Sequence, residues 1–439
     1  MEVKVVKFGG SSLANAVQFQ KVAEIVKAEP TRRYVVASAP GKRFSGDEKV
    51  TDLLYKCHDL VSNGNDFNEV FDEIALRYHD IVNDLKIDST DLDRELDIVR
   101  ANISKNPGGD YIASRGEYLN SFILAEYLGF DFIDAATVIR FNAQGTYDGE
   151  TTNAILAGEL KKHKYAVVPG FYGAMPDGKI KTFSRGGSDI TGSIVARAAM
   201  ADLYENWTDV SGFLMADPRC VENPKPIDVI TYTELRELSY MGATVLHEDA
   251  IFPVRFAGIP INIKNTNAPA DKGTMIVPVA APSATDDVIT GIAGKRGFST
   301  ISIEKDMMNS EYGFGRRVLE VLENNNLRFE HLPSSIDTMS VIVSTGDLEG
   351  KREKILDELC KAVNPDSVSI EDGIALIAIV GRGMIKAKGT AARVFNSVAQ
   401  ASINIKMIDQ GSSELNIIIG VEDVDYINTI RAIYKEFIK

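Results

Sequence analysis

One stretch of the chain occurs twice. V-L-E-V-L-E-N-N-N-L-R-F-E-H-L-P-S-S-I-D-T-M-S-V-I-V-S, starting at Val318, can be laid without a gap on V-F-N-S-V-A-Q-A-S-I-N-I-K-M-I-D-Q-G-S-S-E-L-N-I-I-I-G, starting at Val394. Apolar positions coincide: Leu322 with Val398, Leu327 with Ile403, Phe329 with Ile405, Val341 with Ile417, and Val343 with Ile419. Each copy reads as a helix followed by two strands, and the flanking residues supply a further strand and helix. Each copy is therefore a small βαββαβ module. The expected modules are 287–371 and 372–439, with the leading strand of the first open to exchange with the second. Two such modules serve either as packing units or as ligand sensors.

The preceding residues, 1–280, follow another grammar. Residues 3–8 read as a buried strand, Gly9-Gly10 follow, and Phe19, Val22, Ala23 and Val26 then recur at helical spacing. A second apolar strand, Tyr34 to Ser38, runs into Ala39-Pro40-Gly41, a turn signal. Ala166 to Pro169 and Asp202 to Trp207 continue the series, and a helix rich in small residues is expected from Thr191 to Ala201. This alternation is the mark of an α/β fold with a mainly parallel sheet and helices on both faces. Between Asn265 and Asp287 the composition turns small, polar and proline-containing, which marks a domain boundary.

A chain of 439 residues exceeds what one core usually supports. Charged residues make up 25%, no apolar run is long enough to cross a bilayer, and the N-terminus lacks the pattern of a signal peptide, so no membrane partner and a cytoplasmic location are expected. A net charge of −14 argues against nucleic acid as a partner. Cys57, Cys220 and Cys360 lie too far apart for a C-x-x-C pair and read as structural. His247-Glu248 begins like a zinc motif, but Ile251 stands where the second histidine belongs, so no metal-ligand set is expected.

Lys7 sits two residues before Gly9-Gly10, at the C-terminal end of a strand, where open α/β sheets place their ligands. Glycines there admit a phosphate to the backbone N–H groups; the bland reading is a tight turn with a solvated lysine. No Walker A loop is present, nor the H-R-D and D-F-G of protein kinases. Ser184-Arg185-Gly186-Gly187-Ser188-Asp189 forms a second strand-to-helix turn. Its arginine suits a carboxylate or phosphate and its aspartate a lysine, although Ser188 or Asp189 could also simply cap the helix. Trp207 to Gly212 and Asp217-Pro218-Arg219 are plausible nucleotide contacts built from ordinary turn-formers, and Glu117 could pair with an amino group, although a lone glutamate early in a helix more often simply favours the helix dipole.

In order along the chain, K-F-G-G-S-S, S-A-P-G followed by V-T-D-L-L, S-R-G-E, S-R-G-G-S-D, W-T-D-V-S-G, D-P-R, G-A-T-V-L-H and Q-G-S-S-E-L-N-I together resemble the aspartokinases, over almost the whole chain. Several motifs are shared more loosely with glutamate 5-kinase, acetylglutamate kinase and uridylate kinase, and the C-terminal pair resembles the tandem ACT domains that set aspartokinases apart. The resemblance implies an amino-acid kinase fold followed by two ferredoxin-like ACT modules. It implies L-aspartate and ATP with Mg2+ as substrates and 4-phospho-L-aspartate as product; another amino-acid kinase or a degenerate sensor are the alternatives.

By the same resemblance, Lys7 stabilises the transferring phosphoryl group and Asp189 organises that lysine. Arg185 holds the α-carboxylate of aspartate, Glu117 its amino group, and Ser38, Thr51 and Ser188 complete the substrate site. Gly9, Gly10, Ser11, Thr208, Asp209, Asp217, Arg219 and Lys264 join Lys7 around ATP. Thr244 replaces a lysine common in the family, and Lys264 or Arg219 is the candidate substitute; the insertion 42–49 has no readable role. In the first ACT module the turn Met308 to Gly315, with Glu311, Gly313 and Phe314, together with Glu330 and Ser335, is the expected inhibitor site. Lysine is the first choice there and threonine the second, in a homodimer or dimer of dimers formed through the ACT modules.

Overall fold

The computed structural model describes residues 2–184, 186–243, 246, 248–280 and 287–438. These separate into two compact units. Met1–Phe213, Pro226–Leu235 and Thr244–Ala284 form one; Leu214–Lys225, Arg236–Ala243 and Thr285–Lys439 form the other.

The first unit holds strands β1 (Lys4–Phe8), β2 (Arg32–Ala37), β3 (Asp131–Phe132), β4 (Ala166–Pro169), β5 (Tyr172–Ala174), β6 (Ile180–Thr182), β7 (Leu203–Thr208), β8 (Val229–Thr231), β9 (Ile261–Asn265) and β10 (Thr274–Val277). Eight of them make one sheet in the order β3-β4-β2-β1-β7-β9-β10-β8, while β5 and β6 form a separate hairpin. Every neighbouring pair in the large sheet is parallel except β9 with β10. Parallel strands covered on both faces need apolar residues on both, and Val5, Val6, Phe8, Val35, Val36, Val167 and Val168 are all fully buried. Lys7 interrupts that run in the middle of the sheet. The helix Ala16–Lys27, capped by the Asn15 side chain on the Gln18 N–H, buries the expected Phe19, Val22, Ala23 and Val26.

The helix expected from Thr191 starts earlier, at Gly187, and ends at Ala198. Its cap is Gly186, at φ 58° and without a side-chain bond, so neither Ser188 nor Asp189 caps the helix. Both lie inside the first turn, which leaves the Asp189 carboxylate free for another partner.

The second unit is built on β11 (Gly291–Glu304), β12 (Phe329–His331), β13 (Thr338–Ser344), β14 (Ser367–Val380), β15 (Met407–Asp409) and β16 (Asn416–Glu422), one antiparallel sheet in the order β12-β13-β11-β14-β16-β15. The repeat is visible in three dimensions. Helices Phe314–Asn324 and Thr390–Gln400 occupy matching positions, each opened by a left-handed glycine, Gly313 at φ 75° and Gly389 at φ 84°. Of the paired apolar positions, Leu322, Val398, Leu327, Ile403, Val341, Ile417, Val343 and Ile419 are buried, whereas Phe329 is 46% exposed. Phe329 lies on β12, an edge strand, so no neighbouring strand covers its outer side.

The two long strands are shared between the modules. Residues 298–304 of β11 pair with β13 and with 367–374 of β14, whereas residues 291–295 of β11 pair with 376–380 of β14, whose other edge carries β16. Residues 291–295 thus form the outer strand beside 376–380 of β14, β16 and β15.

Candidate active site

In the parallel register of β1 and β7, Lys7 stands beside Asn206, so the two side chains share a face of the sheet. Lys7 Nζ lies 2.6 Å from Asp189 Oδ1 and donates to Asn206 Oδ1 at 3.4 Å, while Asn206 Nδ2 donates to Asp189 Oδ1 at 2.8 Å. Lys7 is 7% exposed. A lysine so placed keeps its charge out of water only because the carboxylate accompanies it. Sequence reasoning missed Asn206; the available signal was a polar pair, Glu205-Asn206, inside an otherwise apolar strand that is buried at both.

Lys7 and Asp189 line a cleft of about 230 Å³ together with Gly9, Gly10, Ser38, Thr51, Glu117, Phe171 and Ser188, and Asn206 supports them from behind the lining. Gly9 donates its N–H to Trp207 O at 3.0 Å, and a methyl group at Gly9 would lie 3.6 Å from Lys7 Nζ. A side chain there would make only ordinary contact with the lysine, so the turn brings the Gly9 backbone close to the ammonium group without strain. Ser38 is held from below by Asn120, whose Nδ2 donates to Ser38 O at 2.6 Å.

Glu117 comes from the helix Gly109–Leu128. It is 6% exposed, and burial raises its carboxyl group to a pKa of about 8, partly offset by the Ala39 N–H. Its Oε2 has no hydrogen-bond partner. An unpartnered buried carboxyl oxygen is costly and suits an incoming ammonium group. Gly116 makes the position possible: a methyl there would meet Ala39 Cβ at 2.8 Å.

Phe171 is the second residue that sequence reasoning missed. Its backbone is left-handed, φ 80°, a costly conformation for a bulky residue, and its N–H donates to Thr191 Oγ1 at 3.0 Å. A methyl at Gly187 would meet Phe171 Cδ2 at 2.4 Å, so the ring packs directly on the start of the Asp189 helix. No local motif announces a phenylalanine with positive φ.

Other candidates lie apart from the cleft lining. Ser11 follows Gly10 in the 3₁₀ turn Gly10–Leu13. Thr208 and Asp209 are at the end of β7, with Thr208 Oγ1 donating to Asp209 Oδ1 at 3.2 Å; Lys264, opposite Trp207 on β9, lies 5.2 Å from that ring's centroid. Asp217 and Arg219 pair with each other, Nη2 to Oδ2 at 2.6 Å, inside the second unit. Arg185 and Thr244 fall outside the described residues. A larger cavity of about 430 Å³, lined by Tyr55, Phe141 and Phe183, has its charges already matched, because Lys181 and Thr182 both bond Asp110.

In the second unit, the turn from Met308 is laced to the loop before β13 by Asn309 N–H to Ile336 O at 3.0 Å and Met307 N–H to Asp337 Oδ1 at 2.8 Å, while Ser335 N–H closes that loop on Thr338 O at 2.8 Å. Glu311 pairs with Lys305 at 2.5 Å and with Arg317, and the Lys305 contact first of all holds its carboxyl group below the usual range. Met308 and Phe314 are buried, and Gly315 faces Met339. Glu330 accepts a hydrogen bond from the Tyr240 hydroxyl.

Residues 2–265 match the model of the amino acid kinase family and residues 377–437 that of the ACT domain. The class of protein is thereby defined: a small-molecule kinase with a C-terminal regulatory module. Aspartokinase 3 of Bacillus subtilis is 39% identical over 99% of this chain and 98% of its own. The crystal structure of Clostridium acetobutylicum aspartate kinase superposes with a TM-score of 0.91 at 51% identity, covering 100% of both chains. Escherichia coli aspartokinase III, solved with aspartate and ADP and also with lysine and aspartate, matches at 26% identity over 100% of both chains, with TM-scores of 0.77 and 0.76. The chain belongs to the aspartokinases and is an aspartate kinase, a phosphotransferase with an ACT regulatory region.

Proposed function

We propose that this aspartate kinase transfers the γ-phosphoryl group of ATP to the β-carboxylate of L-aspartate in the cytoplasm. The product is 4-phospho-L-aspartate, the first intermediate toward lysine, threonine and methionine. The observation that carries this reading is the pairing, in one cleft, of the Lys7–Asp189 ion pair, backed by Asn206, with the unpartnered Glu117 oxygen. A carboxylate is already a nucleophile at neutral pH, so no general base is needed and the work is positioning plus neutralisation of phosphate charge. Glu117 takes the substrate ammonium, with Arg185 on the α-carboxylate and Ser38, Thr51 and Ser188 completing the pocket. Lys7, oriented by Asp189 and Asn206, meets the phosphoryl oxygens above the Gly9-Gly10 turn. Ser11, Thr208, Asp209 and Lys264 contribute to the nucleotide end, and Asp217 and Arg219 are assigned to it by motif alone. Mg2+ enters on the phosphates of ATP, since it keeps waters and needs few protein ligands. The E. coli relative bound to aspartate and ADP supports these substrates. Phosphorus NMR tests the reaction: an acyl-phosphate signal that forms from aspartate and MgATP and vanishes with hydroxylamine is expected, and its absence contradicts the reading.

Lysine is the proposed inhibitor, with threonine second, acting at the Met308–Gly315 turn and Glu330 in an assembly of two or four chains. The lysine-bound E. coli relative supports it. A ligand ammonium at Glu330 has to displace the Tyr240 hydroxyl that bonds it here. Tyr240→Phe removes that competitor, so half-inhibition by lysine is expected at ~3–10-fold lower concentration, about 0.6–1.4 kcal/mol, the net worth of an ordinary hydrogen bond. Glu330→Ala is expected to raise it more strongly, and undiminished lysine inhibition in that variant removes Glu330 from the site.

A further inference from the structure

The insertion 42–49 is folded around a buried charge cluster that reaches both halves of the cleft. Asp47, 7% exposed, accepts from the Arg43 backbone N–H at 2.8 Å and from Arg43 Nε and Nη2, each at 2.9 Å. Arg77, 3% exposed on the helix Asn68–Leu85, stands 3.6 Å from the same carboxylate. Its Nη2 donates to Gly41 O at 2.7 Å and its Nη1 to Glu48 O at 2.5 Å. One guanidinium thus ties the carbonyl just before the loop to one near its end, a span that its planar fork of donors holds at fixed geometry.

What lies beyond each end gives the fork its meaning. Gly41 donates its N–H to Gly10 O at 2.8 Å, and a methyl at Gly41 would lie 2.6 Å from Gly10 C and 2.7 Å from Ser11 N. Gly41 therefore presses directly on the turn beside Lys7. At the other end Val50 N–H bonds Pro40 O at 3.2 Å and opens the helix Val50–Ser62, whose first turn puts Thr51 in the cleft. The Arg43 hydrogen bonds, then burial opposed by both arginines, leave Asp47 well below the usual carboxylate range, so the cluster stays charged at working pH.

We propose that Arg77 is a positioning residue for phosphoryl transfer: through Gly41 and Glu48 it fixes the phosphate-side turn and the substrate-side helix in one register. The inference rests on the phosphoryl-transfer reading of the cleft, which turnover by the parent enzyme tests separately. In the full chain, Arg77→Ala is expected to lower kcat ~10–100-fold, the scale of a misplacement of about 1 Å, while the protein still melts cooperatively. Methylguanidinium at millimolar concentration is expected to restore part of that kcat, and Arg77→Lys, with a charge but no fork, to fall between. Lys56→Ala, which removes only the exposed Lys56–Glu48 pair of the same loop, is expected to stay within twofold of the parent. If Arg77→Ala does not fold, Arg77→Lys and Asp47→Asn carry the same test by their kcat. The proposal is overturned if kcat per folded molecule stays within twofold of the parent in the Arg77 variants. It is equally overturned if lost activity follows lost thermal stability and methylguanidinium restores none.

Discussion

Lys7→Ala is expected to lower kcat ~10²–10³-fold, or about 2.7–4 kcal/mol, the loss typical of one donor aimed at transition-state charge. The change should fall on kcat more than on the KM for aspartate, because Glu117 and the rest of the substrate pocket are untouched. Asp189→Asn is the informative companion. It keeps the shape beside Lys7 and Asn206 but removes the charge that accompanies the lysine, so the lysine loses its anchor. A steady-state comparison of the two variants separates the loss of the ammonium from the loss of its orientation.

The second large effect is at Glu117. Its raised pKa of about 8 makes it neutral in the free enzyme at lower pH, and only the ionised form attracts an ammonium group. The kcat/KM for aspartate is therefore expected to climb as pH rises through about 8, since that ratio reports groups of the free enzyme. Glu117→Gln should raise the KM for aspartate at least ~10-fold, as expected for an unpaired charge in a buried site, and flatten the climb. Stability moves the other way. The unfolded chain ionises Glu117 near ~4.3 and the folded chain near 8, so between those values the native state holds the extra proton and loses stability as pH rises. The glutamine variant does not titrate, and its melting temperature should exceed that of the parent by more at pH 8 than at pH 5. The site stores this cost in the ligand-free protein and recovers it when the amino group arrives.

Much of this was legible in the sequence. The glycine pair after a buried strand, the second turn at Gly186-Gly187, and the repeat at Val318 and Val394 each carry a spacing that physical rules recognise. Asn206 escaped because one amide inside a strand has no motif; its meaning comes from the parallel register that sets it beside Lys7. Phe171 escaped because its conformation is imposed from outside, by Thr191 and Gly187, against its own preference. Phe329 matched an apolar position of the second copy, yet on an edge strand it is left half in solvent. The loop 42–49 carried charges without a pattern, because its organising partner, Arg77, lies on the next helix but one in sequence. What local spacing encodes was readable; what tertiary contact decides was not.

The central claim is that the Lys7 cleft phosphorylates the side-chain carboxylate of aspartate. The most direct measurement is hydroxylamine trapping of the acyl phosphate, run with MgATP and either aspartate or glutamate. Hydroxamate from aspartate, with little or none from glutamate, is the result this account expects. Turnover with glutamate and none with aspartate would contradict it.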